Sequence, residues 1–414
     1  MTQPKSVIVI GAGICGLSTA IWARRAGCEV TLLDKDHPGA GASFGNAGLL
    51  AQWSVTPVNT PGIGRKAAKY LARGKGPLFL QWAHVPRMIP WLLQFMANAR
   101  DANVQRISAG LVPLLSDSVD QHRALTRGTL AEKWIASSTL SYAYRDRAAF
   151  DADRYIWDLK RAHGYDPEIL EGPAVQEEEP ILGPATGLLA RMAAHGHILD
   201  PGAYMADLAR VLQDEGGRYV RAEVQDVTLT GGRVTAVQTD RGAFDCDAAV
   251  LAAGIWSKAL MRKLGLRVPL EAERGHHVQF FEPSQVPRNP IMIAAAAFVA
   301  TPMAEALRCA GTVEMGGLDR TPSRAPIRSI RSHVAQVFPG LTWARDEEWV
   351  GFRPSTPDSL PLIGEIGRTG VHAAFGHQHV GLTGGPKTGR WVADLIAGNR
   401  PNIDLSPYDA NRFG

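Results

Sequence analysis

The chain has 414 residues, 45% of them hydrophobic and 20% charged, ordinary globular values that exclude disorder as the main state. Lys and Arg exceed Asp and Glu by 44 − 40 = 4, too small a surplus to imply nucleic-acid binding. This length suggests two or three domains, or two interleaved ones, with a core large enough to stand without metals or disulfides. Gly supplies 43 residues, above the roughly 7% background, so many backbone positions are expected to take positive φ or to approach a ligand closely. The cysteines Cys15, Cys28, Cys246 and Cys309 are scattered and form no CxxC. Reduced thiols in a cytoplasmic protein, with no metal site, are the expectation. Met1–Lys5 leads straight into a β-run and reads as no signal peptide. The longest apolar runs, 88–97 and 291–300, are half of the roughly 20 residues a bilayer span takes.

Ser6–Ile10 (SVIVI) reads as a strand buried on both faces. Gly11-Ala12-Gly13-Ile14-Cys15-Gly16 follows at once, then a helix over Leu17–Ala26 ended by Gly27, then a second strand, Glu29–Leu33, closing at Asp34. Residues 39–50 (GAGASFGNAGLL) are too rich in Gly for regular structure and read as a loop beside a ligand. Residues 61–100 are expected to be mostly helical, with a basic start (Arg65, Lys66, Lys69, Arg73, Lys75) and an apolar second half; 103–133 and 151–163 also read as helices, and Thr139–Tyr144 as a strand. Pro201–Glu215 is an amphipathic helix. Tyr219–Val224, Val227–Leu229 and Val234–Thr239 are expected to form a meander turning at Gly231-Gly232. Ala248–Ala252 is another buried strand, Glu273–Phe281 and Ala310–Met315 are strands of a second sheet, and Thr383–Ala397 is a C-terminal helix behind the turn Gly381–Gly385. The two ends therefore read as nucleotide-binding α/β structure with other material inserted between them.

The glycine motif gains its meaning from this setting. Gly11 permits the tight turn, Gly13 lets backbone approach a pyrophosphate, and Gly16 lets helix and strand pack closely. The helix start offers unpaired N–H groups and about half a positive charge to phosphate. Asp34 is expected to accept the ribose hydroxyls, and its carboxylate disfavours a 2′-phosphate. This motif alone leaves NAD and FAD open.

Five blocks carry a resemblance to the D-amino-acid oxidase/glycine oxidase superfamily of FAD enzymes, above all to its bacterial D-amino-acid dehydrogenase branch. They are VIVIGAGICGLSTAIWARRAGCEVTLLD (7–34), GASFGNAGLL (41–50), AAVLAAGIWS (248–257), GFRPSTPDSLPLIG (351–364) and FGHQHVGLTGGPKTGRWVADLIAG (375–398). The resemblance implies an α/β fold: a Rossmann-like FAD-binding domain of the glutathione-reductase type with an interleaved α+β substrate domain on a mostly antiparallel sheet. Segments 1–60, 165–268 and 345–414 are expected to form the first domain, and 61–164 and 269–344 the second. Gly11, Gly13, Gly16, Asp34 and Lys35 would hold the ADP half of FAD. Ser43, Asn46, Ala47, Gly48 and Leu49 match the loop beside the pyrophosphate and flavin, Val224 the adenine contact, and Gly254 a close passage. Gly381, Leu382 and Thr383 match the turn facing the flavin N1/C2=O edge. A helix start there, with Lys387 close behind, would stabilise charge that appears on reduction. No His in the matching place around Asn46 and no Cys in the segment just before Arg353 imply non-covalent FAD.

Arg353 matches the family's carboxylate-binding arginine, a role suited to its bidentate fork. Arg274 is a second candidate, His379 is expected to line the pocket, and Gln378 and Tyr144 are lesser candidates. His276 and His277 read as strand residues, and pocket walls are expected in 50–60, 85–100 and 295–310. The implied reaction is oxidation of a small D-amino acid, or a cyclic D-imino acid such as a D-proline, by hydride transfer from Cα to flavin N5. Electrons would pass to a quinone or another respiratory carrier. An oxidase or N-methyl amino-acid enzyme of the same fold stays open, as does a non-catalytic flavin-binding subunit. Segment 64–96 reads either as a helical cap on the substrate domain or as a peripheral membrane contact, with Lys and Arg on anionic lipid and Phe79, Leu80, Trp82 and Trp91 in the interface. The expected location is the cytoplasm, on the inner face of its membrane under the second reading.

Overall fold

The computed structural model describes residues 5–73 and 76–413; Lys75 of the basic stretch lies outside them. Ser6–Ile10 is a central strand of a six-stranded sheet, parallel to Ala248–Leu251 on one side and Glu29–Asp34 on the other. Its alternation divides two cores: Val7 and Val9 enter one apolar cluster, Ile8 and Ile10 another, as successive side chains of a strand must. The sheet order is Leu362–Glu365, Val371–Phe375, Ala248–Leu251, Ser6–Ile10, Glu29–Asp34, Arg218–Arg221. Strand Arg218–Arg221 pairs in parallel with Glu29–Asp34, so it does not open the meander expected from Tyr219. The meander is Val224–Thr230, Arg233–Thr239 and Gly242–Asp245, with the expected turn at Gly231-Gly232.

Two helices start from the end of this sheet, Ile14–Arg25 and Gly381–Ile396. The second begins at Gly381, so Gly381-Leu382-Thr383 is its first turn and not a turn preceding it. The helices cross closely: a Cβ on Gly389 would lie 2.5 Å from Thr19 N. That contact sets the two helix starts side by side.

The second sheet has ten strands along its main path and branches. The path runs Arg345–Ser355, Glu271–Phe281, Ala306–Met315, Phe298–Pro302, Ile291–Ile293, Ile135–Tyr144, Leu188–Ile198, Leu49–Leu50. Leu78–Leu80 pairs with Ala306–Met315, and Glu168–Glu171 with Leu188–Ile198. Pairing is antiparallel except at Ile291–Ile293 against Ile135–Tyr144 and at Leu78–Leu80. The boundaries expected at 165 and 345 place Leu188–Ile198 and Arg345–Ser355 with the nucleotide segments, whereas pairing joins both strands to this second sheet. Segment 61–100 is broken: helix Ile63–Arg73, strand Leu78–Leu80, helix Val85–Ala97. Among the described residues no helix is long and apolar enough to cross a membrane.

Candidate active site

A cavity of roughly 680 Å³ extends from the end of the first sheet to the face of the second, within the size range of small-molecule and cofactor sites. Its first part is built by the glycine turn. Gly11 has φ +106°, and a Cβ there would meet Ala252 O at 2.6 Å; a Cβ on Gly16 would meet Gly11 O at 1.8 Å. Gly16 packs the turn and does not line the cavity, whereas Gly11 and Gly13 do. Asp34 Oδ2 accepts from Ala12 N at 2.6 Å and Oδ1 from Asp36 N at 3.0 Å, so the carboxylate braces the turn as well as facing the cavity. Burial raises its carboxyl above the usual range against the pull of these two N–H groups. Lys35, Val224 and Gly254 line the same stretch, and Lys35 Nζ stands 5.2 Å from the Trp256 ring.

Loop 41–48 forms one wall. Ser43 Oγ accepts from Ile14 N at 3.0 Å, Asn46 Nδ2 donates to Ser43 O at 2.8 Å, and Asn46 Oδ1 accepts from Gly48 N at 2.8 Å. Buried Arg308 clamps this loop from behind, Nη1 donating to Phe44 O (3.2 Å) and Asn46 O (3.0 Å). Burial lowers its guanidinium to about 10. His277 Nδ1 lies 2.8 Å from Gly45 O. Ser43, Asn46, Ala47 and Leu49 line the cavity; Gly48 does not, and its φ of +72° serves the turn of the chain.

Gly381, Leu382 and Thr383 line the cavity opposite this loop. Neither helix start carries a side-chain cap or an acidic residue in its first turn. Apart from Ile14 N, which donates to Ser43 Oγ, the two helix N-termini facing one cavity carry no side-chain cap of their own and suit an anionic ligand. A pyrophosphate at the first and a flavin edge at the second satisfy both, so the residues fit FAD. Lys387 contributes less than expected: its Nζ pairs with Asp117 Oδ1 at 2.7 Å, and it does not line the cavity.

At the far end stands Arg353. Its Nη1 donates to Glu273 Oε1 at 2.8 Å and to Thr312 O at 3.2 Å. Among the described residues no protein acceptor reaches Nε or Nη2, so that edge is free for a ligand carboxylate. The guanidinium lies across Gly275, where a Cβ would meet Cζ at 2.4 Å. Thr312 holds φ +57°, a strained conformation for a β-branched residue. It falls at the bulge between Arg274 and His276 in the pairing of the two strands. Glu273, Gly275, His276, Thr312, Gln378 and His379 line this end. His379 lines the cavity and is exposed in it, enclosed by the surrounding walls. Burial lowers its imidazole, Glu273 opposing this and Arg353 adding to it.

Two predicted catalytic residues are elsewhere. Arg274 is 0% exposed and does not line the cavity; it donates to Gly316 O, Gly317 O, Arg320 O and Glu314 Oε2. It is a structural cation under the second sheet. Burial raises the Glu314 carboxyl, but His276 Nε2 at 3.5 Å, hydrogen bonds from Gln81 and Ser323 N, and the Arg274 charge outweigh this and hold it at about 2. Tyr144 is buried beside Phe150, its hydroxyl 3.1 Å from Trp157 Nε1 and 3.4 Å from Asp153 Oδ2. Of the expected walls, 50–60 contributes Ala51, Ser54 and Val58, and 295–310 contributes Ala297, Val299 and Ala310, whereas 85–100 contributes none. Sequence reasoning missed Glu273, Thr312 and Arg308.

Fold and cavity together define a flavin-dependent oxidoreductase. Residues 6–395 match the model of the DAO family, FAD dependent oxidoreductase; the chain belongs to that family and uses FAD. It is 38% identical over 421 residues to a D-amino-acid oxidase of Bradyrhizobium diazoefficiens, covering 100% of both chains. It is 29% identical to a D-amino acid dehydrogenase of Allorhizobium ampelinum, covering 99% of this chain and 100% of that one. Among solved structures, glycine oxidase from Geobacillus kaustophilus superposes with TM-score 0.75 at 22% identity over 99% of each chain. L-amino acid deaminase from Proteus vulgaris superposes with TM-score 0.74 at 15% identity, over 100% of this chain and 98% of the other. These two likenesses concern the fold.

Proposed function

We propose that the chain oxidises the Cα–N bond of a small D-amino acid, or a cyclic D-imino acid, to the imine, which water then hydrolyses. The observation that carries this reading is Arg353: a guanidinium anchored through Nη1 with its other edge open to the cavity. Such an edge takes a carboxylate bidentately. Bound FAD supplies the hydride acceptor. The chain's own contribution is positioning: Arg353 fixes the carboxylate, Thr312 O and Glu273 fix Arg353, and the walls exclude water. Under this proposal Gly11, Gly13 and Asp34 hold the ADP half and the Gly381–Thr383 turn faces the flavin, while Gly16 and Gly48 shape the turns behind them.

The acceptor proposed for the electrons is a respiratory quinone or carrier at a membrane. Four apolar side chains support a surface contact: Trp82, Ile89, Leu93 and Met96 are exposed on and beside helix Val85–Ala97, Trp82 by 71% and Leu93 by 67%. Exposed Arg65, Lys69 and Arg87 are in the same segment. Trp91 cannot take the part expected of it, since it is buried against Phe95 and donates to Ser355 O; Phe79 and Leu80 are half-buried in a strand. Oxygen is the second reading, favoured by the oxidase name of the 38% identical relative. FAD-loaded protein with D-alanine and D-proline, assayed with an artificial dye and with oxygen, tests both. Faster turnover with dye supports the dehydrogenase, and equal or faster turnover with oxygen supports the oxidase. No turnover of any D-amino or D-imino acid with either acceptor contradicts the proposal.

A further inference from the structure

Four polar side chains form one hydrogen-bonded row along the substrate end of the cavity. Gln378 Nε2 donates to Ser355 Oγ at 2.6 Å. Ser355 Oγ lies 3.5 Å from Glu273 Oε2, and Glu273 Oε1 accepts from Arg353 Nη1 at 2.8 Å. A serine hydroxyl carries one proton. Because the Gln378 amide donates to Ser355, the serine proton points on toward Glu273, and the row runs in one direction.

This arrangement leaves two acceptors short of donors. Gln378 is 5% exposed, yet its Oε1 has no hydrogen-bond partner. Glu273 Oε2 has only the long contact to Ser355. Both residues line the cavity. Gln378 is also held at φ +53°, a conformation that a residue with a Cβ keeps only where its surroundings impose it. Buried acceptors are ordinarily satisfied, so the pair calls for a donor: Glu273 Oε2 from the cavity directly, and Gln378 Oε1, closed off in this conformation, once its amide turns toward the cavity. The free edge of Arg353, bonded to the same Glu273, awaits an anion. A ligand that meets both needs presents a carboxylate and, one carbon away, an N–H group.

We infer that Glu273 Oε2 and Gln378 Oε1 form an amine subsite that receives the α-amino nitrogen while Arg353 holds the α-carboxylate. This rests on the function proposed above and deepens it. The Arg353–Glu273 pair is itself a cation beside an anion, so a zwitterion lies antiparallel to it, each charge against its opposite, and no net charge is buried. A row of acceptors also discriminates: a carboxylic acid without the amine leaves both oxygens unpaired, which binding sites built around hydrogen bonds penalise.

D-Alanine and propionate differ only in the amine and are the matched probes. In the FAD-loaded protein, Glu273→Gln and Gln378→Leu are each expected to raise KM for D-alanine at least ten-fold. Gln378→Leu, which leaves the Arg353–Glu273 pair in place, should leave the propionate Ki within two-fold, with the propionate-induced change in the flavin spectrum saturating at the wild-type concentration. Glu273→Gln, which also loosens Arg353, should raise KM for D-alanine by a clearly larger factor than the propionate Ki. Flavin content and melting temperature report that the variants are folded. A variant that weakens D-alanine and propionate by the same factor overturns the inference, because the residue then only positions Arg353. Unchanged D-alanine kinetics in both variants also overturns it. A wild-type protein that neither binds nor oxidises any D-amino acid contradicts the function itself. Wild-type turnover together with equal losses for the two probes contradicts the subsite alone.

Discussion

Replacing Gly275 by Ala tests whether the position of the Arg353 guanidinium sets activity. A Cβ at Gly275 would lie 2.4 Å from Arg353 Cζ and Nη2 and 2.9 Å from Nη1. Ordinary contact begins at 3.4 Å, so the guanidinium has to retreat by 3.4 − 2.4 = 1.0 Å. The obstructed atoms are the end of a flexible side chain, so the strand keeps its place and the fold survives. The retreat disturbs both Nη1 hydrogen bonds, at 2.8 Å to Glu273 and 3.2 Å to Thr312 O, and misdirects the free edge. A misplacement of about 1 Å costs about 10²-fold in rate, or about 2.7 kcal/mol. Steady-state kinetics with a dye acceptor should therefore show kcat/KM for D-alanine falling about a hundred-fold, chiefly through KM. The flavin-to-protein absorbance ratio should not change, and Tm should stay within about 2 °C. A kcat/KM within about three-fold of wild type, under 1 kcal/mol, would refute the reasoning, as would a loss of flavin that matches the loss of activity.

Arg274→Met acts on stability: with Glu314 left 1% exposed and without its cation, urea unfolding should show a loss of about 3–5 kcal/mol. KM of the folded fraction should be unchanged; a raised KM with unaltered stability would return Arg274 to the substrate site. Acid should also destabilise the protein. Burial lowers His195, His277 and His377 to about 3 and His122 and His197 to about 4, so these rings are neutral when folded and take up protons on unfolding. That stability is full above pH 6.5 and lost as pH falls toward the folded values, about 1.4 kcal/mol for His377 alone at pH 5.5. A urea midpoint that stays level from pH 7 to pH 5 would contradict it. Vesicles of anionic lipid should co-sediment the protein at low salt and release it at high salt, and Trp82→Ser with Leu93→Ser should abolish this. Absence of binding at low salt rules the contact out.

The nucleotide end was legible because its chemistry is local: strand, glycine turn, helix and acid follow one another within residues 6–34, and a Cβ on Gly11 or Gly16 would strike backbone at 2.6 or 1.8 Å. Arg353 was legible from the block around it. Its partners were not, since antiparallel register across the second sheet brings Glu273 opposite Arg353, and nothing in the spacing of 80 residues announces that pairing. The candidate Arg274 stands one position from Glu273, which lines the cavity. Neighbouring residues of a strand face opposite sides, so Glu273 and Gly275 meet the cavity while Arg274 points beneath the sheet. Thr312 was hidden for another reason: its left-handed backbone belongs to a bulge, and a threonine in a strand-like run signals no such conformation. Tyr144 sat in a strand as expected, on the face that packs against Trp157 and Phe150.

The central claim is that this chain sets an amino acid, held by Arg353, against its FAD. Mixing the FAD-loaded protein with a panel of D- and L-amino and imino acids in the absence of oxygen measures that directly. The account predicts that the flavin absorbance bleaches with small D-substrates, and that Arg353→Lys needs far higher concentrations for the same bleaching. Flavin that stays oxidised with every member of the panel, or bleaching that is indifferent to Arg353→Lys, would contradict it.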